Sequence, residues 1–235
     1  MRVVVYTAII GGYDTLNEPK YTPEGVDFIC FTDRDIKSST WQIRKVLPLY
    51  KDNTRTARKY KTLPHRWFPG YDISIWLDGN KTIEGDVLKY LEYIKESGVA
   101  VFDHTKCFDV RNCVYQEAQA ILDFGQRNYK NNPSKGIRNW KDNPDVIVAQ
   151  MKRYLEEGYP RDNSLAFTCG VIRKHNTPEV IQVMEDWWTE IKYGSKRDQL
   201  SFNYAAWKND FKFVYLPGDG RGDGVITHTN HTGKK

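Results

Sequence analysis

The sequence lacks a long apolar run. Its most hydrophobic stretches, such as "VVVYTAII" near the N-terminus, are less than half of the roughly 20 residues that a membrane-crossing helix needs. Charged residues make up 28%, and the mean hydropathy of −0.67 is that of a soluble protein. "MRVVVYTAII" enters a strand pattern at once, without the charged segment, apolar segment and small-residue cleavage site of a secretory leader. Cysteine is also scarce. Cys30, Cys107, Cys113 and Cys169 form no C-x-x-C pair, which argues against a disulfide scaffold and fits reduced thiols in the cytoplasm. His104, Cys107 and Cys113 could hold zinc, but no fourth ligand stands at a recognisable spacing. Internal repeats and low-complexity tracts are missing too. The net charge of +5 is too diffuse for a nucleic-acid face, and suits an anionic ligand or a peripheral contact with the inner face of a membrane.

What is present is alternation of strand and helix patterns over 235 residues, a length that suits one domain spanning 1–235. Strand patterns cover 2–10, 27–33, 41–46, 72–78, 99–102, 164–173 and 211–217. Helical patterns cover 53–67 with a break near Pro64, 86–97, 111–128, 145–157, 178–192 and 197–208, and 129–145 reads as a polar loop. Strands alternating with helices predict an α/β sandwich with a mostly parallel central sheet.

Three places could carry chemistry. "SIWLDGN" ends an apolar strand on Asp78, Gly79 and Asn80. These are turn formers, but open α/β sheets bind ligands at the carboxyl ends of their strands, and Asp78 and Asn80 would present two hard oxygens to Mg²⁺ or Mn²⁺. The tail "HTNHTGKK" offers His231, with His228 as an alternative, as a third metal ligand, and Gly233 and Lys234 for a phosphate. A frayed terminus is the plainer account of that tail. In "SKRDQLSFNY", Arg197, Asp198 and Gln199 set a cation, a carboxylate and an amide side by side at a helix start. Ser195 and Asp198 also have the form of a capping box, so Asp198 is either a cap or a group facing a sugar.

"YTAIIGGYD", "DFICFTD", "RTARKYKTLPHRWFP-Y-SIWLDGN", "C-Y-EA" at 113–118 and "RDQLSFNY" together resemble a glycosyltransferase-like family, once a domain of unknown function, with plant members linked to mucilage polysaccharide and turgor regulation. The resemblance runs in order from about residue 5 to about 205. It implies a GT-A fold, a Rossmann-like nucleotide-sugar-binding sandwich, with Asp78 and Asn80 in the place of an Asp-x-Asp metal motif. Asp198-Gln199 looks like the Asp-Gln pair of retaining GT-A enzymes. The tail departs from their His-x-x-Gly-x-x-Lys, since His231, Gly233 and Lys234 lie closer together, which leaves the third ligand open between His231 and His228.

The function implied is metal-dependent transfer of a sugar from a nucleotide donor, a UDP-sugar, to a glycan or glycolipid acceptor. Thr7, Gly12, Tyr13 and Asp33 would hold the nucleoside, Arg58 and Lys61 would face the phosphates or donor sugar, and His65 would touch donor or acceptor. Unlike the plant members the chain shows no membrane anchor, so a cytoplasmic protein is expected. A nucleotidyltransferase, or a carbohydrate-binding module using the 14% aromatic content, are the alternatives.

Overall fold

Val3–Ile9 is buried along its whole length and forms β1, the strand on which the sheet is built. Such a run, without polar alternation, is what a strand covered on both faces requires. The computed structural model describes residues 1–231. It is a mixed α/β structure, in which β1 is followed by β2 (Val26–Thr32), β3 (Gln42–Lys45), helices α1 (Asn53–Thr62) and α2 (Pro64–Trp67), β4 (Ile73–Leu77) and the short β5 (Lys81–Ile83). Then come β6 (Val99–Asp103), α3 (Val114–Asn131), α4 (Pro144–Glu156), β7 (Ala166–Arg173), α5 (Pro178–Tyr193), α6 (Phe202–Lys208), β8 (Val214–Leu216) and β9 (Ile226–His228).

Seven strands make the central sheet in the order β3-β2-β1-β4-β7-β6-β8. β1 to β4 run parallel, β6 and β8 are parallel to each other, and β7 is antiparallel to both its neighbours. Alternate residues of β1 serve opposite layers. Val4 and Tyr6 pack with α5 residues such as Trp187, whereas Val3 and Val5 pack with Val87, Tyr90 and Ile94. A third apolar cluster joins α3 and α4 to Tyr159, Leu165, Leu200 and Tyr204. This is the architecture of a Rossmann-like GT-A sandwich.

Pro64 divides the 53–67 segment into α1 and α2 as expected, because proline has no N–H to continue the ladder but suits a first helical position. Other elements differ from the sequence pattern. The predicted 86–97 helix is a 3-10 helix over Val87–Ile94, and the predicted loop 129–145 begins inside α3 and holds a 3-10 segment at Pro133–Asn139. Residues 226–228 form β9, which pairs antiparallel with β5 and so carries the start of the tail back beside Asn80. All four cysteines are free and buried, and His104 Nε2 lies 3.1 Å from the Arg111 guanidinium rather than in a zinc shell. Among the described residues no helix is long and apolar enough to cross a membrane.

Candidate active site

A cleft of about 370 Å³ opens where β1 and β4 end, between Gly11–Asp14, the start of α1, Asp78–Lys81, Phe167–Cys169, Arg197–Gln199 and the two tail histidines. The turn after β1 requires glycine. Gly11 has φ +72°, and a Cβ there would fall 2.1 Å from Asn53 Nδ2. Gly79 is needed for a different reason, close approach: its Cβ would stand 3.0 Å from Ile9 Cγ1 and 3.3 Å from Asp14 Oδ2.

The floor is a charge cluster. Lys61, in the last turn of α1, has no exposed surface, and its Nζ lies 2.5 Å from Asp198 Oδ2 and 3.2 Å from Asp78 Oδ1. Arg58, one turn earlier, lies 3.4 Å from Asp78 Oδ1. Its Nε is 2.9 Å from Asp198 Oδ1 as an ion pair, although that N–H is not aligned for a hydrogen bond. Thr168 Oγ1 donates to Asp198 (2.9 Å) and the Trp76 indole donates to Asp78 Oδ1 (2.8 Å). Burial pushes the Asp198 carboxyl up, but Arg58, Lys61 and Arg197 outweigh it and hold the group below the usual aspartate range. Asp78 is held low in the same way, by Lys61 and Arg58 against burial and the neighbouring Asp198. Two cations thus balance two carboxylates. All the contacts described to Asp78 are on Oδ1, and among the described residues none is made to Oδ2.

Asp198 is therefore not a helix cap. The residue in the capping position is Arg197, with no side-chain cap, and Asp198 begins a 3-10 turn over Asp198–Leu200 instead of a long helix. Ser195 Oγ accepts from Arg197 N (3.2 Å) and donates to Asp142 (2.7 Å). The segment is fixed by those bonds and by the Lys196–Asp52 ion pair at 2.7 Å. Arg197 Nε and Gln199 Nε2 are buried without a hydrogen-bond partner, and both residues line the cleft.

On the other side, β9 brings the tail to Asn80. The Asn80 amide nitrogen donates to the Thr229 carbonyl (3.2 Å) and lies 3.2 Å from His228 Nδ1 and 3.5 Å from His231 Nε2. His231 Nδ1 is 2.7 Å from Asp14 Oδ1, a carboxylate–imidazole pairing of the kind that orients metal-binding histidines, with Nε2 turned toward the Asn80 amide. Burial, then Lys81 and His231, hold His228 below the ordinary histidine range and so neutral at pH 7. Among the described residues no three His, Cys, Asp or Glu side chains converge on one point, so a cation here would also need the Asn80 amide oxygen. Such an open oxygen-and-imidazole set fits Mn²⁺ or Mg²⁺ completed by substrate phosphates and water better than an all-protein cage.

Of the residues singled out in the sequence, Tyr13, Arg58, Asp78, Asn80, Arg197, Asp198, Gln199, His228 and His231 all line this cleft. Others support it from outside. Lys61 lies beneath the floor, held by its two carboxylates. Asp33 accepts from Gly11 N (2.8 Å), and Gly12 shares that turn with φ +67°. Thr7 is buried within β1, and His65 lies 2.8 Å from Glu185 of α5, away from the cleft. Gly233 and Lys234 lie outside the described residues. Sequence reading missed Asp14, Lys81 and Thr168. "GGYD" and "DGNK" held the first two in plain sight, but only the fold shows that they meet.

The fold and this cleft define a Rossmann-like α/β sandwich with a charged cleft at the carboxyl ends of its strands. More particularly, residues 1–215 match the TOD1/MUCI70, glycosyltransferase-like domain, and the chain belongs to that family. It is 27% identical over 231 residues to a probable hexosyltransferase, MUCI70, of Arabidopsis thaliana, a match that takes in 86% of this chain and 36% of the relative. The chain thus spans about a third of the length of that curated relative.

Proposed function

We propose that the protein is a metal-dependent glycosyltransferase that moves a sugar from a nucleotide-sugar donor, a UDP-sugar, to a glycan or glycolipid acceptor. The observation that carries this reading is the lining of one cleft. Asp78 Oδ2, Asn80 and an Asp14-oriented His231 share it with the unbonded donors of Arg197 and Gln199. The first group would hold Mn²⁺ or Mg²⁺, which when bound neutralises charge on a departing diphosphate. Lys81, whose Nζ donates to the Gly220 carbonyl (2.7 Å), adds a cation to this lining and has no carboxylate partner among the described residues.

Gln199 and Arg197 would meet the donor sugar through N–H groups that the protein leaves unsatisfied, an arrangement that rewards a bound oxygen ligand. Asp198 is assigned a positioning role. Its oxygens already accept from Thr168 and Lys61, and its surrounding cations suppress its basicity, so it fixes Lys61 and Arg58 beneath the reacting centre. The free, buried cysteines support a cytoplasmic setting.

The test is calorimetric titration of UDP with and without Mn²⁺ into wild type and Asp78→Ala, with Asp78→Asn as a variant that keeps the side-chain shape. Both variants are expected to lose the manganese-dependent part of the affinity, about tenfold or more. Unchanged metal-dependent affinity in both would refute the metal assignment.

A further inference from the structure

Two loops hold apolar side chains out in water at the edge of the sheet where the cleft opens. β3 runs parallel to β2 and β1, so the loop that leaves it, 46–52, lies at that edge, and it leads to Asn53 and Thr54 of the cleft lining. β6 is antiparallel to β7, which is antiparallel to β4, so the loop after β6 leaves from the same edge. In the strand order the cleft at β1 and β4 stands between the two loops. Each loop is anchored, yet its apolar residues stay exposed. In the first, Tyr50 N donates to Thr56 Oγ1 (3.1 Å) and the Tyr50 ring packs 5.6 Å from that of Trp188, while Leu47 is 83% exposed and Leu49 is exposed too. The exposed Tyr193, at the end of α5, belongs to the same flank, since Arg55 of α1 donates to the neighbouring Gly194 carbonyl (2.9 Å). In the second loop Asp109 is ion-paired with Arg111 and Arg221, and its neighbours Phe108, 95% exposed, and Val110 are left in water.

The charge beside these residues is positive. Between Arg44 and Thr62 the only carboxylate is Asp52, which is bonded to Lys196 and to the first turn of α1. Toward the end of α5, Glu185 is held by Arg66 and Glu190 by Arg153. Lys51 and Lys192 are exposed and form no ion pair among the described residues; the Lys192 ammonium lies 2.8 Å from the Tyr193 hydroxyl. Lys106, exposed beside Phe108, forms none either.

We infer that this edge docks on an anionic lipid bilayer. Leu47, Leu49 and Tyr193 enter the interface on one side of the cleft, and Phe108 and Val110 on the other, while Lys51, Lys106 and Lys192 meet the headgroups. An apolar protein partner would leave those three ammonium groups without counter-charge. An anionic bilayer supplies both chemistries, negative headgroups at the rim and acyl chains beneath them, and stable contact with it takes apolar and basic groups together. A flat surface also reaches both loops at once. The inference goes beyond the transferase reading and does not depend on it.

The experiment is flotation of the full chain with vesicles of phosphatidylcholine alone and of an equal mixture of phosphatidylcholine and phosphatidylglycerol. Wild type is expected to bind the mixed vesicles about tenfold or more tightly, as several lysines at an anionic surface imply, and to lose that preference as salt rises from about 0.1 to about 1 M. Leu47→Ser/Leu49→Ser, Phe108→Ser/Val110→Ser and Lys51→Glu/Lys192→Glu change exposed residues only. Each should keep the wild-type melting temperature and lower the affinity for mixed vesicles about tenfold. A loss confined to the variants of one flank would overturn docking by the edge as a whole. Equal binding to the two kinds of vesicle, or none to either, would overturn it outright. Dimers in solution that Leu47→Ser/Leu49→Ser abolishes, without vesicle binding, would give the surface to a second copy and overturn it as well. Titration of UDP into the same preparations keeps the two readings apart: vesicle binding as expected, without any UDP binding, would support this inference and refute the transferase reading alone.

Discussion

Lys61 and Arg173 are both cations without exposed surface, and they touch: Arg173 Nη1 donates to the Lys61 carbonyl at 2.8 Å. Their side chains meet opposite surroundings. Lys61 Nζ lies between two carboxylates, one of which, Asp78, keeps 26% of its side chain exposed in the cleft. Arg173, at the end of β7, has no carboxylate among the described residues; its other partners are the Tyr6 hydroxyl and, at 3.3 Å, Met184 Sδ. Burial pushes the Tyr6 phenol up to about 12 even with Arg173 beside it, so the pair is a cation and a neutral hydroxyl. Arg173 closes the carboxyl end of α1 against the sheet, whereas Lys61 holds two anions in place beneath a ligand site. Equal burial therefore does not mean equal purpose, and the partners tell the two apart.

Substitution should separate them, most strongly at Lys61. Lys61→Met takes from the buried Asp198 its closest cation, leaving Arg58, Thr168 and the nearby Arg197, and breaking a buried pair in this way costs about 3–5 kcal/mol. Donor turnover in the remaining folded protein is expected to fall on the order of 10²-fold. Urea unfolding and donor hydrolysis on one preparation measure both. The double variant Lys61→Met/Asp198→Asn should recover much of the stability but little of the turnover, because it removes the unpaired charge without restoring the site. Full turnover in Lys61→Met would erase the distinction.

Arg173→Met should behave differently. It leaves the Tyr6 hydroxyl oxygen without its donor, while the Lys61 carbonyl keeps the bond from the Tyr6 O–H (2.8 Å), a loss of about 1–3 kcal/mol. Turnover below the melting transition should stay within about threefold, since no group facing the cleft changes. A collapse of turnover with an unmoved melting temperature would place both cations in one catalytic system.

Acid offers a sharper contrast with a smaller amplitude. Asp198 and Asp78 are held below the ordinary aspartate value of 3.8, so their contribution to stability is complete above that pH and is lost as pH falls through their lowered folded values. Melting temperatures between pH 7 and about 2 should fall less steeply for Asp198→Asn than for wild type in the range below about 4. Arg173→Met should keep the wild-type slope, because it removes no carboxylate. A slope flattened equally in both variants would contradict this account.

The smallest effect is expected at Trp187, whose indole N–H donates to the Asp198 carbonyl at 2.8 Å. Trp187→Phe gives up that bond and some volume, about 1–2 kcal/mol, and should move the donor KM by less than about twofold. A large change in KM would mean that the Asp198 turn is set by this one bond and not by its Lys61 and Asp142 contacts.

Much of the fold was legible because periodicity reports burial. The largely apolar runs of β1, β2 and β4 fit strands covered on both faces, and Pro64 marks its own break. The 3-10 helix at Val87–Ile94 was read as a regular helix because its apolar pattern serves either winding over so short a length. At the site, Asp78 and Asn80 stood out because polarity appears abruptly after β4, and Arg197, Asp198 and Gln199 because three functional groups adjoin. Lys61 and His65 were harder. Both lie in one basic stretch, and composition alone gives no direction to a side chain.

The sequence by itself determined the α/β order, the strand end that carries Asp78, and the residue types available to the cleft, since local pattern and turn chemistry act over a few neighbours. Tertiary structure alone decided which of those residues meet. Lys61 joins Asp198 across 137 positions, and Asn80 meets His231 across 151, because the sheet brings α1, β4 and the Asp198 turn to one edge while β9 pairs back onto β5. It also decided that Asp198 is a buried anion rather than a helix cap. That outcome depends on two cations arriving from α1, a charge balance that no spacing within "SKRDQL" encodes.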